Sequence, residues 1–153
     1  MLYIASSVLF QACRESRESV YLSFADAVKA GEISHGWVPG FLPSSSRAIH
    51  LIYDPSSPRT WCAFQFSPND SQPLRENLTS VDTLPPRGRR IANPGVSWWP
   101  DFLTGDVDVR TLHDHGFVPY VVVEPDIGSN TQLVLFAIDW EKGRGFFYRA
   151  PAQ

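Results

Sequence analysis

The run RAIHLIYDPSSPRTWCAFQF, residues 47–66, decides the fold. Its first part, Arg47–Tyr53, alternates: Ile49, Leu51 and Tyr53 fall on one side, and His50 and Ile52 on the other. Side chains in an extended chain repeat every second residue, so this is a strand with two distinct faces. Asp54-Pro55-Ser56-Ser57-Pro58 then breaks the pattern with turn formers. Residues 60–66 resume it, with Cys62, Phe64 and Phe66 sharing one face and Trp61, Ala63 and Gln65 the other. Two such strands joined by a short Pro/Ser loop predict an antiparallel hairpin.

Working outward, residues 119–124 (PYVVVE), 132–139 (QLVLFAID) and 145–149 (GFFYR) read as three more strands. A turn at 126–130 containing Gly128 joins the first two, and Glu141-Lys142-Gly143-Arg144 joins the last two. Residues 23–30 (SFADAVKA) predict a short helix capped by Ser23 and stopped by Gly31. A second opens at Asn69 or Asp70 and runs through Leu74, Leu78 and Val81, with Pro73 in its first turn. The expected class is α+β: an antiparallel sheet of about five strands, two short helices on one face, and long ordered loops. Residues 23–153 form one domain, preceded by a segment at 1–22 that is either a signal remnant or an added strand.

Two stretches resist a regular assignment. In residues 32–43, EISHGWVPGFLP, Gly36, Pro39, Gly40 and Pro43 forbid helix and strand alike. Yet Trp37, Val38, Phe41 and Leu42 are too apolar for a free loop, so the run is expected to be ordered and mostly buried, with Trp37 as anchor. Residues 83–108 hold Pro85-Pro86, the basic cluster Arg87, Arg89 and Arg90, Asn93-Pro94-Gly95, and Trp98-Trp99-Pro100. The part at 83–96 is expected to be mobile and the tryptophans anchored.

Composition bounds the function. The chain has 153 residues, 43% of them hydrophobic, which argues against wholesale disorder. The net charge of −3 argues against a broad nucleic-acid surface. Charge is uneven: residues 1–100 carry a net +1 and residues 101–153 a net −4, mostly as a solvated surface. Residues 1–12 carry no charge and precede Cys13. Three readings compete for them: a lipoprotein signal with Cys13 as the lipidation site, a signal truncated by a late start, or a strand of the fold. The first two imply the cell envelope, the third the cytoplasm. Cys13 and Cys62 are the two cysteines, too few and too far apart for zinc, and Cys62 reads as a buried inert thiol.

The segment GWVPGFLPSSSRAIHLIYD, residues 36–54, carries a family resemblance in Gly36, Trp37, Val38, Pro39, Leu42, Pro43, Ser45, Ile49 and Asp54. Trp61, Phe64 and Phe66 extend it, as do Trp98-Trp99-Pro100 and Phe146-Phe147-Tyr148. On these residues the chain resembles small bacterial YbbD-like proteins, many of them lipoprotein-like. The resemblance implies a fold and an envelope origin rather than a reaction, and it adds weight to lipidation at Cys13. The sequence departs from the pattern at Pro55-Ser56-Ser57-Pro58, where a polar Asp/Asn-rich turn is expected.

Candidate chemistry is sparse. His113 and His115 would share a strand face and, with Asp108 or Asp106, are weak metal candidates. A polar turn before Gly116 explains them better, and neither metal nor cofactor is expected. His50 with Asp54, near Ser44, Ser45, Ser46 and His35, offers a hydrolase reading, but no Gly-x-Ser-x-Gly elbow exposes a serine. The serines read instead as partners for backbone amides. Arg87, Arg89, Arg90, Trp98 and Trp99 are the candidate contacts for a protein partner. The expectation is therefore a non-enzymatic bacterial protein that binds another protein, such as an inhibitor or a toxin-neutralising immunity protein. An envelope lipoprotein with a structural role and a small hydrolase using His113/His115 or His50/Asp54 are the alternatives.

Overall fold

The computed structural model describes residues 17–54, 57, 59–125 and 131–149, with the side chains of 87, 88, 123–125 and 131 left aside. In chain order the elements are β1 (Arg17–Ser23), α1 (Phe24–Lys29), β2 (Arg47–Tyr53), β3 (Thr60–Gln65), α2 (Gln72–Asn77), α3 (Pro86–Arg89), β4 (Arg90–Ile91), β5 (Gly105–Asp106), α4 (Val109–Asp114), β6 (Val118–Pro125), β7 (Thr131–Asp139) and β8 (Arg144–Arg149), with a 3-10 turn at Asp101–Leu103. Six strands form one sheet in the order β1-β2-β3-β8-β7-β6, and every neighbouring pair is antiparallel.

The class matches expectation, and the main sheet has six strands rather than about five. The added strand is β1, so the expected boundary at residue 22/23 falls inside an element. β1 is a sheet edge with only Tyr21 turned towards the core, so its alternation is too weak to stand out beside Arg17 and Glu18. The 126–130 turn, Cys13 and most of the 55–58 turn lie outside the described residues.

Both sheet faces are covered. Ile49, Leu51, Cys62, Phe64, Val134, Phe136, Ile138 and Phe147 pack on one side against Ala27 of α1, Leu74 of α2, and Val38 and Leu42. On the other side Ile52, Trp61, Leu135, Ala137 and Tyr148 pack against Leu84, Ile91, Trp99, Leu103, Leu112 and Phe117. The two expected helices do share a face; the second face is covered by α4, the 3-10 turn and the loops around them. This corrects the reading of 83–96 as mobile: Leu84 and Ile91 are buried, β4 pairs with β5, and Arg89 O accepts from Val107 N at 2.7 Å. The strand reading of 113–115 is also corrected, since His113 sits in α4 and His115 caps it. A six-residue helix shows too few turns for its period to be seen in sequence, although Asp108 at its start and Gly116 beyond its end are ordinary boundary residues.

Local chemistry explains the elements. Ser23 Oγ accepts from Asp26 N at 3.1 Å and caps α1. α2 is shorter than expected, ending before Leu78, because Ser80 and its neighbours leave to pair with β6. The 32–43 run is ordered without regular structure: Val38 is 1% exposed, Leu42 is buried, and Trp37 N and Val38 N both donate to Glu32 O. Trp37 itself is half-buried and stacks on Tyr53 with ring centroids 4.2 Å apart. At the β8 end, a Cβ at Gly143 would stand 2.0 Å from Phe66 O, and Gly143 has φ +64°, so only glycine lets β3 and the β7–β8 turn approach this closely. A Cβ at Gly145 would stand 2.3 Å from the Phe64 ring, which fills the space instead.

Candidate functional site

The site starts from an irregularity in β2. Arg47 pairs with Gln65 and His50 with Ala63, so β2 holds one residue more than β3 over this interval, a β-bulge. Ala48 absorbs it with φ +47°, a left-handed conformation that costs a non-glycine residue roughly 1–2 kcal/mol. Pairing with β1 stays regular here, Val20 opposite His50 and Tyr21 opposite Ile49.

Paired residues in antiparallel strands point to one face. The pairings therefore run a row across the second sheet face: Val20, His50, Ala63, Phe146 and Ala137. A neighbouring row holds Arg47, Gln65, Arg144 and Asp139. The covering loops reach the first row only in part. Trp99 meets Phe146 edge-on at 5.5 Å, and Trp98 lies over His50 at 5.3 Å. The small side chains of Ala48 and Ala63 leave a depression of about 160 Å³, walled by His50, Trp98, Gln65, Arg144 and Phe146.

Two polar atoms here are buried without a hydrogen-bond partner among the described residues: His50 Nδ1 and Arg144 Nε. Arg144 is held by Nη2, which donates to Asp139 Oδ2 at 3.1 Å, and its guanidinium lies 5.3 Å from the Phe117 ring. Asp139 Oδ1 accepts from Lys142 N, so the carboxylate is fixed too. Buried polar atoms in native proteins nearly always find partners, so these two stand out among the residues that line the depression. Beyond its rim, Val20 is 54% and Leu22 81% exposed on β1, and Trp98 Nε1 donates to Glu18 Oε1 at 2.9 Å.

Of the expected partner contacts, Trp98 belongs to this site. Trp99 turns inward at 5% exposure and donates Nε1 to Leu103 O, so it is core rather than contact surface. Arg89 and Arg90 are exposed, and Arg89 lines a separate depression of about 390 Å³ with Asp82, Asp106 and Asp108. The Arg87 side chain lies outside the described residues.

The metal and hydrolase candidates are not assembled. His113 and His115 are two positions apart on one helical turn and do not face each other. His115 stacks on Phe102 at 4.2 Å with Nδ1 2.8 Å from Thr111 O, and Asp108 Oδ1 accepts from Arg110 N at the α4 cap. Among the described residues no group of three or more His, Cys, Asp or Glu is placed to hold a metal ion. His50 and Asp54 are four residues apart along β2 and its extension, about 13 Å of rise, beyond hydrogen-bond reach. His35 is exposed, and Ser45 Oγ accepts from Ser67 N at 3.1 Å, the amide-satisfying role its sequence context suggested. Cys62 is fully buried: burial pushes its thiol well above the usual range, nearby Glu32 adds to the shift, and Arg149 opposes it.

Sequence reasoning missed Ala48, Gln65, Arg144 and the exposed Val20 and Leu22. The Glu18-Val20-Leu22 alternation is a visible signal in retrospect; the bulge and the cross-sheet row leave none. Residues 15–65 match the family model of the YbbD head domain, which supports the YbbD-like resemblance over about a third of the chain. The match contains β1, β2 and β3, hence Glu18, Val20, Leu22, Ala48, His50 and Ala63. No curated protein and no solved structure matches the chain.

Proposed function

We propose that the chain is a non-enzymatic bacterial protein-binding protein whose partner docks along β1 and the adjoining Trp98 depression. The observation that carries this reading is the contrast between the two sheet edges. At β6 the backbone of 79–81 lies alongside, with Val81 N donating to Pro119 O and Val121 N to Thr79 O, each at 3.4 Å. Along the outer side of β1 no described residue pairs at all, and Val20 and Leu22 stand exposed. A strand edge flanked by exposed apolar side chains is a template for another chain unless it is managed. Occlusion of an enzyme or toxin by such docking is the narrower form of the proposal, and the net −4 of residues 101–153 would favour a basic partner.

Site-specific photocrosslinking in the native host tests this. A benzophenone amino acid at Leu22 should capture a distinct protein, whereas the same group at His113 should not. Lysine at Val20 and Leu22 together should abolish capture with the melting temperature almost unchanged, since both sites are exposed. Absence of any crosslink at residue 22, or equal capture at 113, overturns the reading.

A further inference from the structure

We propose that β1 pairs antiparallel with β1 of a second copy of the chain, joining the two main sheets across a twofold axis at Val20. A different partner using the same edge must then displace the second copy. That consequence rests on the protein-binding reading above, whereas the pairing itself does not.

The apolar surface comes first. Among the described residues the exposed large hydrophobics are Val20, Leu22 and Val28, at 54%, 81% and 49%, and all three lie on β1 or on α1 directly after it. β1 carries no proline and no lysine, two of the residues that keep an edge strand from pairing. Its seven residues span about 24 Å. An antiparallel pair centred on Val20 uses all of them: Arg17 meets Ser23, Glu18 meets Leu22, Ser19 meets Tyr21, and Val20 meets its own counterpart. Glu18 brings no bare charge against Leu22, because its carboxylate already accepts from the Trp98 indole.

Charge names the occupant. Arg17 starts β1, and Asp26 sits in the first turn of α1. Asp26 Oδ2 accepts from Ser23 Oγ at 2.8 Å, so this carboxylate stands at the opposite end of the strand from Arg17. Six steps of extended chain, about 20 Å, separate Arg17 from Ser23, so the two charges do not meet within one chain. None of the described cations forms an ion pair with Asp26, neither Arg47 opposite Ser23 on β2 nor Lys29 at the end of α1. In the dimer Arg17 of each copy comes opposite Ser23 of the other, within a side chain's reach of Asp26, and the twofold axis makes the contact twice. An unrelated strand would have to supply length, apolar pattern and both charges separately, whereas a second copy brings them together. A contact confined to two short edges belongs with the small interfaces, under about 1,200 Å², so the dimer is weak and exchanging.

Sedimentation velocity of the purified chain at low ionic strength tests this. The protein should pass from monomer to dimer between about 5 and 500 μM, the range of a weak interface. Arg17→Glu sets carboxylates against each other at both contacts and should weaken the dimer about tenfold, with the circular dichroism spectrum of the parent. Adding Asp26→Lys to it exchanges the two charges and should restore dimerisation. Register has its own readout. With Cys13→Ser in place, Val20→Cys should oxidise to a linked dimer of twice the chain mass, since directly opposed positions lie within disulfide range. Leu22→Cys, which meets Glu18, should link far more slowly. A monomer at every concentration overturns the inference, as does a dimer that Arg17→Glu leaves intact, a folded double exchange that stays monomeric, or faster linkage at 22 than at 20. A monomeric protein would still capture a distinct partner at residue 22 in the native host, so failure of this inference and failure of the docking surface are separable.

Discussion

Trp98 donates its indole N–H to Glu18 Oε1 at 2.9 Å, tying the loop over the second sheet face to the edge strand 80 positions earlier. The bond joins the two halves of the proposed docking surface. It is solvent-exposed, so its contribution to stability is small, about 0.5–1 kcal/mol. Glu18→Ala should therefore leave the melting temperature within a few degrees of the parent. Trp98 should gain freedom, read as a red shift and lower anisotropy of tryptophan emission. Trp99→Ala, by contrast, removes a buried ring and should cost about 3–5 kcal/mol in denaturant titration.

Trp37→Ala tests the irregular 32–43 segment. Trp37 stacks on Tyr53, and its backbone N–H bonds to Glu32 O, while Val38 and Leu42 beside it are buried more deeply than Trp37 itself. Because the ring is half-buried, the loss should be about 3 kcal/mol, the low end for aromatic truncation. The chain should still fold, with its urea midpoint clearly lowered.

Ala48→Gly should stabilise the protein. Glycine adopts φ +47° without steric cost, which relieves roughly 1–2 kcal/mol of strain, and the more flexible unfolded chain takes back about 0.4–1 kcal/mol. The net expected gain is about 0.5–1 kcal/mol in chemical denaturation. A loss of stability would mean that the Ala48 methyl packs more strongly than its backbone is strained.

Cys62 gives the pH dependence a definite sign. Its thiol is raised in the folded state chiefly by burial, so above about pH 8.5 the unfolded chain ionises where the folded one does not. The unfolded state then binds fewer protons, and stability falls as pH rises, by up to about 1.4 kcal/mol per pH unit. Tyr21 and Tyr148, also raised chiefly by burial, extend the decline above about pH 10. Denaturant midpoints at pH 7, 9 and 10 should drop in that order, and Cys62→Ala should flatten the first step. In the native protein the Cys62 thiol should resist iodoacetamide at pH 8 and react once the chain is unfolded in denaturant.

The alternation in 47–66 was legible because the two-residue period of a strand is a local property that needs no partner to be seen. The same holds for the Ser23 cap, which acts over three residues, and for Cys62, whose apolar neighbours on one strand face already imply burial. The proline-rich 32–43 run was legible by exclusion, since its backbone cannot join a ladder while its side chains avoid water.

What needed the tertiary structure depends on residues far apart in the chain. Which of two adjacent tryptophans faces outward is decided by Phe146 and Leu103 drawing Trp99 in, while Glu18 and His50 hold Trp98 at the rim. The bulge at Ala48 exists only as a mismatch between the lengths of β2 and β3 once Arg47 has met Gln65. Arg144 joins His50 only because β8 returns to lie beside β3, which no local pattern in either strand announces. Local periods determined the strands of this protein, and the order in which those strands meet determined its candidate site, because a side chain's neighbours across a sheet are set by hydrogen-bond pairing rather than by position along the chain.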